Sequence, residues 1–164
     1  MVIIKKNFIE KMFDGYLKPF GYVKNKNIWV KENLETIQVI ELMKSQRSSV
    51  FILNVGIIIK KLQNDNFKIE FPSCNLWRDT LHLVDDIKKR EYLIKLLDID
   101  IQEEQIITEN IKKYINYLEE IKIIDLLNEL SNHQGIINYL KEKKHHKYLY
   151  TKYFREEEVI KYLQ

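Results

Sequence analysis

The sequence has very little cysteine, proline or glycine: one Cys, two Pro and four Gly among 164 residues. The single thiol, Cys74, cannot form a disulfide within the chain, which is typical of a protein from a reducing compartment. Few glycines and prolines leave little material for flexible linkers, so we predict one domain over residues 1–164. The glycines match neither the G-x-G-x-x-G fingerprint nor the phosphate-binding loop, which argues against the nucleotide-binding folds built on them.

Long apolar runs are also missing. The uninterrupted apolar stretches are a few residues long, whereas a membrane-spanning helix needs about 20 apolar residues. Three apolar residues, Val2 to Ile4, precede the first lysines, which is the reverse of the order in a secretory signal. We therefore expect a cytoplasmic protein that does not enter a membrane.

A large excess of one charge is absent as well. The chain holds 27 Lys and Arg against 24 Asp and Glu, for a net charge of +3. Residues 1–71 carry 12 basic and 7 acidic side chains, and residues 72–164 carry 15 and 17. Neither part has the basic excess expected of a dedicated nucleic-acid-binding protein.

What the sequence does contain is a change of hydrophobic period. Apolar residues between Ile3 and Leu17 recur every three or four positions, which predicts an amphipathic helix ending before Pro19. Strand-like segments follow at residues 28–31, 35–43, 50–60 and 67–71, and they predict a four-stranded antiparallel meander ended by Pro72. Gly56 inside the third strand indicates a bulge or a close packing approach. We expect the core to include Phe8, Phe13, Phe51, Leu53, Val55 and Ile57.

After Pro72 the period becomes helical. Amphipathic segments are predicted at residues 83–97, 102–121, 123–130 and 134–163, the last with a break near Thr151. The predicted fold is therefore α+β: an N-terminal helix and an antiparallel sheet in residues 1–71, and a helical C-terminal half packed on the sheet in residues 72–164.

No catalytic, metal or cofactor signature stands out. Cys74 and His82 are eight residues apart, too far to pair on one helix, and a buried thiol beside a surface histidine is the commoner arrangement. His145 and His146 are adjacent and would point about 100° apart on a helix, so they cannot both coordinate one metal ion. We predict no catalytic residue, no metal site and no cofactor.

A dense group of acidic residues is the first candidate binding surface. Five carboxylates occur within twelve residues that contain no base. Such a patch would steer a cationic protein partner, although a solvated helix face is the commoner role of a charge run. The candidate partner-binding residues are Asp98, Asp100, Glu103, Glu104 and Glu109.

Basic and aromatic residues interleave between Lys141 and Arg155, which is the second candidate surface. Grooves for single-stranded nucleic acid combine cations with stacking rings, but the same tyrosines also complete a helical core stripe. The candidate nucleic-acid-binding residues are Lys143, Lys144, Lys147, Tyr150 and Lys152.

Four runs in the first third of the chain carry a family resemblance. They are Tyr16–Tyr22 (YLKPFGY), a short aromatic strand at Ile28–Lys31 (IWVK), the Gln/Ser turn at Ser45–Ser49, and Phe51–Ile57 (FILNVGI). With these, the chain resembles the bacterial domain-of-unknown-function family 4304 over residues 8–60, and in outline beyond them. The resemblance implies a small single-domain protein, and some members look like antidotes encoded beside toxins.

Together these observations favour a non-enzymatic protein-binding module. Our hypothesis is an immunity or defence-associated protein that binds and occludes a protein partner such as a cognate toxin. The alternative is a nucleic-acid-associated protein that uses residues 141–155. An enzyme whose site is assembled only by the fold is a third hypothesis, because fold alone does not determine function.

Overall fold

A computed structural model describes residues 2–99, 103–142, 149–151 and 154–164. Six α-helices are described: α1 (Val2–Leu17), α2 (Ile87–Leu96), α3 (Glu104–Glu120), α4 (Ile123–Glu129), α5 (His133–Lys141) and α6 (Glu156–Leu163). Six strands accompany them: β1 (Val23–Asn25), β2 (Ile28–Glu32), β3 (Thr36–Lys44), β4 (Phe51–Ile59), β5 (Leu76–Asp79) and β6 (Tyr150–Thr151). Within this part of the chain, no helix is both long and apolar enough to cross a membrane.

The strands form one antiparallel sheet in the order β1-β2-β3-β4-β5-β6. The predicted α+β architecture is confirmed, but the sheet has six strands instead of four. β1 escaped prediction because all three of its residues are exposed at the sheet edge and show no burial pattern. β6 is only two residues long.

The predicted strand at residues 67–71 is wrong, and Pro72 does not end the sheet. Residues 67–70 are irregular, and Phe71–Ser73 form a short 3-10 helix. Phe67 and Phe71 pack against apolar residues of the sheet face instead of extending the sheet. The real neighbour of β4 is β5, a few residues further on.

Both faces of the central strands β3 and β4 are covered along most of their length. The inner face faces the helices, and its buried residues include Phe51, Leu53, Val55 and Ile57, as predicted. Phe13 of α1 is fully buried and meets Tyr114 of α3 edge-on at 6.3 Å. Phe8 is only partly buried.

The opposite, outer face carries a smaller apolar cluster. Ile37, Val39, Ile58 and Cys74 are buried there beneath half-buried Phe67, Phe71 and Trp77. The prediction of a close approach at Gly56 is confirmed, since a Cβ atom on this residue would lie 2.6 Å from Cys74 Sγ. Pairing continues without a bulge, because Gly56 stands directly opposite Val39.

The helices after β5 follow the predicted order with shorter bounds. The predicted helix at 134–163 is two helices, α5 and α6, with β6 between them at the predicted break. Tyr114 and Tyr117 of α3 both reach the segment after β5: the Tyr117 hydroxyl donates to the Thr80 carbonyl at 2.8 Å, and the Tyr114 and Thr80 hydroxyls are 2.5 Å apart. These bonds fix the end of β5 relative to the helical layer.

Candidate functional site

A row of polar side chains crosses the outer face at the end of the sheet that the apolar cluster does not cover. Glu41 of β3 stands opposite Asn54 of β4, and Asn54 stands opposite Asp79 of β5. Directly opposed residues share one face of an antiparallel sheet, with Cβ atoms about 5 Å apart. Asn27, just before β2, completes the row. We call Asn27, Glu41, Asn54 and Asp79 the polar row.

Two amides hold the Glu41 carboxylate. Asn27 Nδ2 donates to Glu41 Oε1 at 3.3 Å, and Asn54 Nδ2 donates to Glu41 Oε2 at 3.2 Å. Asn54 is 4% exposed, and a buried amide without an acceptor would be costly. The amides orient the carboxylate, but they are neutral and leave its negative charge in place.

Asp79 forms the other end of the row and binds His82. Its Oδ2 lies 2.6 Å from His82 Nδ1, and its Oδ1 accepts a bond from the His82 backbone N–H at 3.0 Å. The carboxylate thereby caps the 3-10 helix Thr80–Leu83. The His82 side chain is 53% exposed, and the contact through Nδ1 leaves Nε2 as the nitrogen for other interactions.

A cavity of about 270 Å³ adjoins the Glu41 end of the polar row. Its apolar wall comes from Ile28, Ile69 and Phe71. Three charged side chains, Glu41, Glu70 and Lys26, also line it. The cavity therefore combines an apolar wall with a net negative charge.

Comparison with known proteins identifies the family of this chain. The model of the family DUF4304, described as a domain of unknown function, matches residues 13–133, which is most of the chain. The chain belongs to the DUF4304 family. No curated protein and no solved structure matches it. The predicted resemblance is thus confirmed, and it extends well beyond residues 8–60.

The DUF4304 match ends at His133, so it includes the whole polar row and His82. The segment 141–155, in which the nucleic-acid-binding residues are predicted, lies beyond that boundary. The family match thus covers the outer-face site and not the basic–aromatic segment.

The predicted acidic residues of this DUF4304 protein do not form one described cluster. Asp98 is half-buried, and its Oδ1 accepts a bond from the Ser49 hydroxyl at 2.5 Å. Glu103 and Glu104 are exposed at the start of α3. Glu109 is exposed on the same helix, about 140° around its axis from Glu104. Asp100 lies outside the described residues, and the partner-binding role stays a prediction.

The predicted basic–aromatic surface is described at one position, Tyr150 in β6. Its ring is exposed and is stacked by the Arg78 guanidinium, whose carbon is 4.2 Å from the ring centroid. The remaining predicted residues lie outside the described residues: Lys143, Lys144, Lys147 and Lys152. The nucleic-acid-binding role also stays a prediction.

Cys74 and His82 sit in different environments. The segment between them is a strand followed by a 3-10 helix, and not the single helix assumed in the spacing argument. Cys74 is fully buried under Gly56, whereas His82 is exposed and bound to Asp79. Among the described residues, no group of three or more His, Cys, Asp or Glu side chains is arranged to hold a metal ion.

Sequence reasoning missed the polar row as a unit. Asn54 is the one polar side chain in an otherwise apolar strand, and this is the signal that could have found the row. Its partner Glu41 is identified only by the β3–β4 register, in which Glu41 stands directly opposite Asn54. Asp79 could not be added, because the predicted fourth strand occupied the wrong residues.

Proposed function

We propose that this protein is a non-enzymatic protein-binding module that binds and occludes a basic protein partner, such as a toxin, in the manner of an immunity protein. The single observation that carries the proposal is the open end of the outer face, where apolar and acidic side chains lie side by side. Met43 and Ile52 stand directly opposite each other next to the Glu41–Asn54 pair. Met43 is 40% exposed and Ile52 is half-buried.

This composition suits a protein interface. Binding surfaces combine a central apolar anchor with polar groups that set orientation, and most of the binding energy comes from a few such residues. Here the rigid sheet holds the anchor and the carboxylates in a fixed arrangement, so little ordering is needed on binding.

The acidic residues at the start of α3 would act at longer range. Exposed Glu103 and Glu104 add negative charge that raises the association rate of a basic partner without contributing much affinity. The single cysteine fits a reducing cytoplasm, and we propose that the protein acts there. A bacterial toxin–antitoxin or immunity system is the setting in which such a module would be needed.

Coexpression with the products of the genes adjacent to its own tests the proposal. We expect one product to form a stoichiometric complex and to lose its toxicity when this protein is present. Met43→Asp should abolish the complex, because it places a charge in the apolar anchor. The matched control is Ile87→Asp on α2, where an apolar side chain is 67% exposed and lies outside the sheet; it should bind normally.

Three results would contradict the proposal. The first is that no adjacent product binds, and the second is that Met43→Asp and Ile87→Asp bind the partner equally well. The third is tight oligonucleotide binding at physiological salt that disappears when Lys143, Lys144 and Lys147 become Ala. That loss would favour the nucleic-acid-binding alternative.

A further inference from the structure

The Glu41 carboxylate is a half-buried charge that neutral groups hold in place. Both of its oxygens accept bonds from amides, Asn27 and Asn54. Among the described residues, no cation forms an ion pair with it within 4.0 Å. A carboxylate that is partly shielded from water is stabilised further when a cation forms a charge-assisted hydrogen bond with it. Each oxygen has a second acceptor site, so the two amide bonds leave room for further donors.

The adjoining cavity has the size and lining for one long cationic side chain. At about 270 Å³ it lies below the range of about 300–1,000 Å³ typical of small-molecule sites. Ile28 and Phe71 supply apolar surface for an aliphatic stem, and Glu41 and Glu70 supply charge for its head. The competing cation is Lys26, which also lines the cavity but is not within ion-pair distance of either carboxylate.

We propose that this cavity receives an arginine side chain of the protein partner, whose guanidinium forms a two-pronged hydrogen bond with Glu41. The inference rests on the proposed function, because it names the group that the outer face recognises. Asn27 and Asn54 are positioning residues, since they set the plane of the carboxylate from two sides.

Arginine fits better than lysine for two reasons. The guanidinium fork matches the two carboxylate oxygens, whereas an ammonium acts as a single point charge. The planar cation can also lie against the Phe71 ring, which is held edge-on by Trp77 at 6.0 Å between centroids. The stem of the side chain covers apolar wall while its charge meets the carboxylate.

A titration with capped amino acids tests the site on the isolated full chain. The probes are N-acetyl-arginine amide, N-acetyl-lysine amide and N-acetyl-citrulline amide, which has nearly the shape of arginine but no charge. In ¹⁵N-labelled protein, arginine should give saturable shifts of the Asn27 and Asn54 side-chain amides. The dissociation constant should be on the order of 1 mM, the range for a ligand of this size.

The variants sharpen this test. Glu41→Gln keeps the shape of the side chain but should weaken arginine binding about tenfold or more, because charged hydrogen bonds are the stronger ones. Lys26→Gln should strengthen it, since a like charge leaves the cavity. Glu91→Gln on the exposed face of α2 is the matched control and should change nothing. Unfolding midpoints of all three variants check that each is folded.

The outcomes separate this inference from the proposed function. Equal binding of arginine and citrulline, or normal binding by folded Glu41→Gln, would overturn the arginine site. Tighter binding of lysine than of arginine would also overturn it. If an adjacent gene product binds wild-type protein and Glu41→Gln equally, the arginine site is wrong while the protein-binding module stands. If arginine binds as expected but no protein partner does, the site stands and the proposed function fails.

Discussion

Gly56 of β4 and Cys74 lie in such close contact that no side chain fits between them. A Cβ atom on Gly56 would lie 2.6 Å from Cys74 Sγ, 2.9 Å from Cys74 Cβ and 3.0 Å from the Leu76 carbonyl oxygen. The segment from Cys74 to Leu76 can therefore approach β4 this closely only because position 56 is glycine. The same contact buries the thiol completely.

Gly56→Ala is expected to destabilise the protein. The new methyl group must displace a buried sulfur and a backbone oxygen, and overpacking of this kind costs about 1–3 kcal/mol. Urea denaturation followed by circular dichroism measures the loss. Gly15→Ala in α1 is the control, because a Cβ there has no neighbour within 4 Å. It should stabilise the protein by about 0.5–1 kcal/mol through helix propensity. Equal stability of the two variants would contradict the contact.

Stability should fall as pH rises above the ordinary tyrosine pKa. Burial, with Glu119 and Asp125 nearby, raises the pKa of Tyr16 from 10.0 to about 12. Burial also raises the pKa values of Tyr22 and Tyr114. Above pH 10 the unfolded chain loses these protons first, so it binds fewer protons than the folded chain and the free energy of unfolding decreases. The stabilising effect of Tyr16 is complete below pH 10 and is lost as pH approaches 12.

Urea denaturation at about pH 8, 10 and 11 would check this direction, because these values bracket the pKa of about 10 of an unperturbed tyrosine. Absorbance near 295 nm would report tyrosine ionisation in the same samples (roughly the wavelength at which tyrosinate absorbs). Tyr16→Phe should reduce the pH dependence, because phenylalanine has no proton to lose. Exposed Tyr92→Phe is the control and should leave the slope as it is. A stability that rose with pH over this window would rule out the assignment.

The acidic start of α3 should affect the rate of association more than stability. Glu103→Gln with Glu104→Gln is expected to slow binding of a basic partner roughly two- to fivefold at low salt. The difference should shrink as salt rises, since exposed charges are screened beyond about 10 Å at 0.1 M. Stopped-flow association at several salt concentrations measures it. The control pair, exposed Glu91→Gln with Glu142→Gln, should slow binding much less. A slowing that persists at high salt would argue against steering.

The sequence predicted the elements whose pattern is local. α1, β3 and β4 appear within a residue or two of their predicted bounds, because amphipathic spacing and turn residues act over short distances. The error at residues 67–71 has a physical cause. The alternating Phe67, Ile69 and Phe71 have the pattern of a strand. In the structure, however, the Phe67 and Phe71 rings pack on the apolar cluster of the outer face, and their backbone does not pair with the sheet.

The candidate site was less predictable than the fold because it depends on pairing between strands. Glu41 and Asn54 sit thirteen residues apart, and Asp79 joins them only through the β4–β5 register. No spacing rule links such positions. The predicted partner-binding carboxylates show the opposite case, because they are close in sequence but do not form one surface. Glu104 and Glu109 point to different sides of α3.

The polar row has a consequence for how β4 aligns with its neighbours. Both faces of β4 are largely apolar, so shifting the strand by one residue would still place apolar side chains on each side. Hydrophobic burial alone therefore discriminates poorly between the two alignments. Asn54 and Gly56 remove the ambiguity, because a slip would carry the amide away from Glu41 into the helical core and push a branched side chain against Cys74. The residues that shape the proposed binding face also fix the alignment of the sheet.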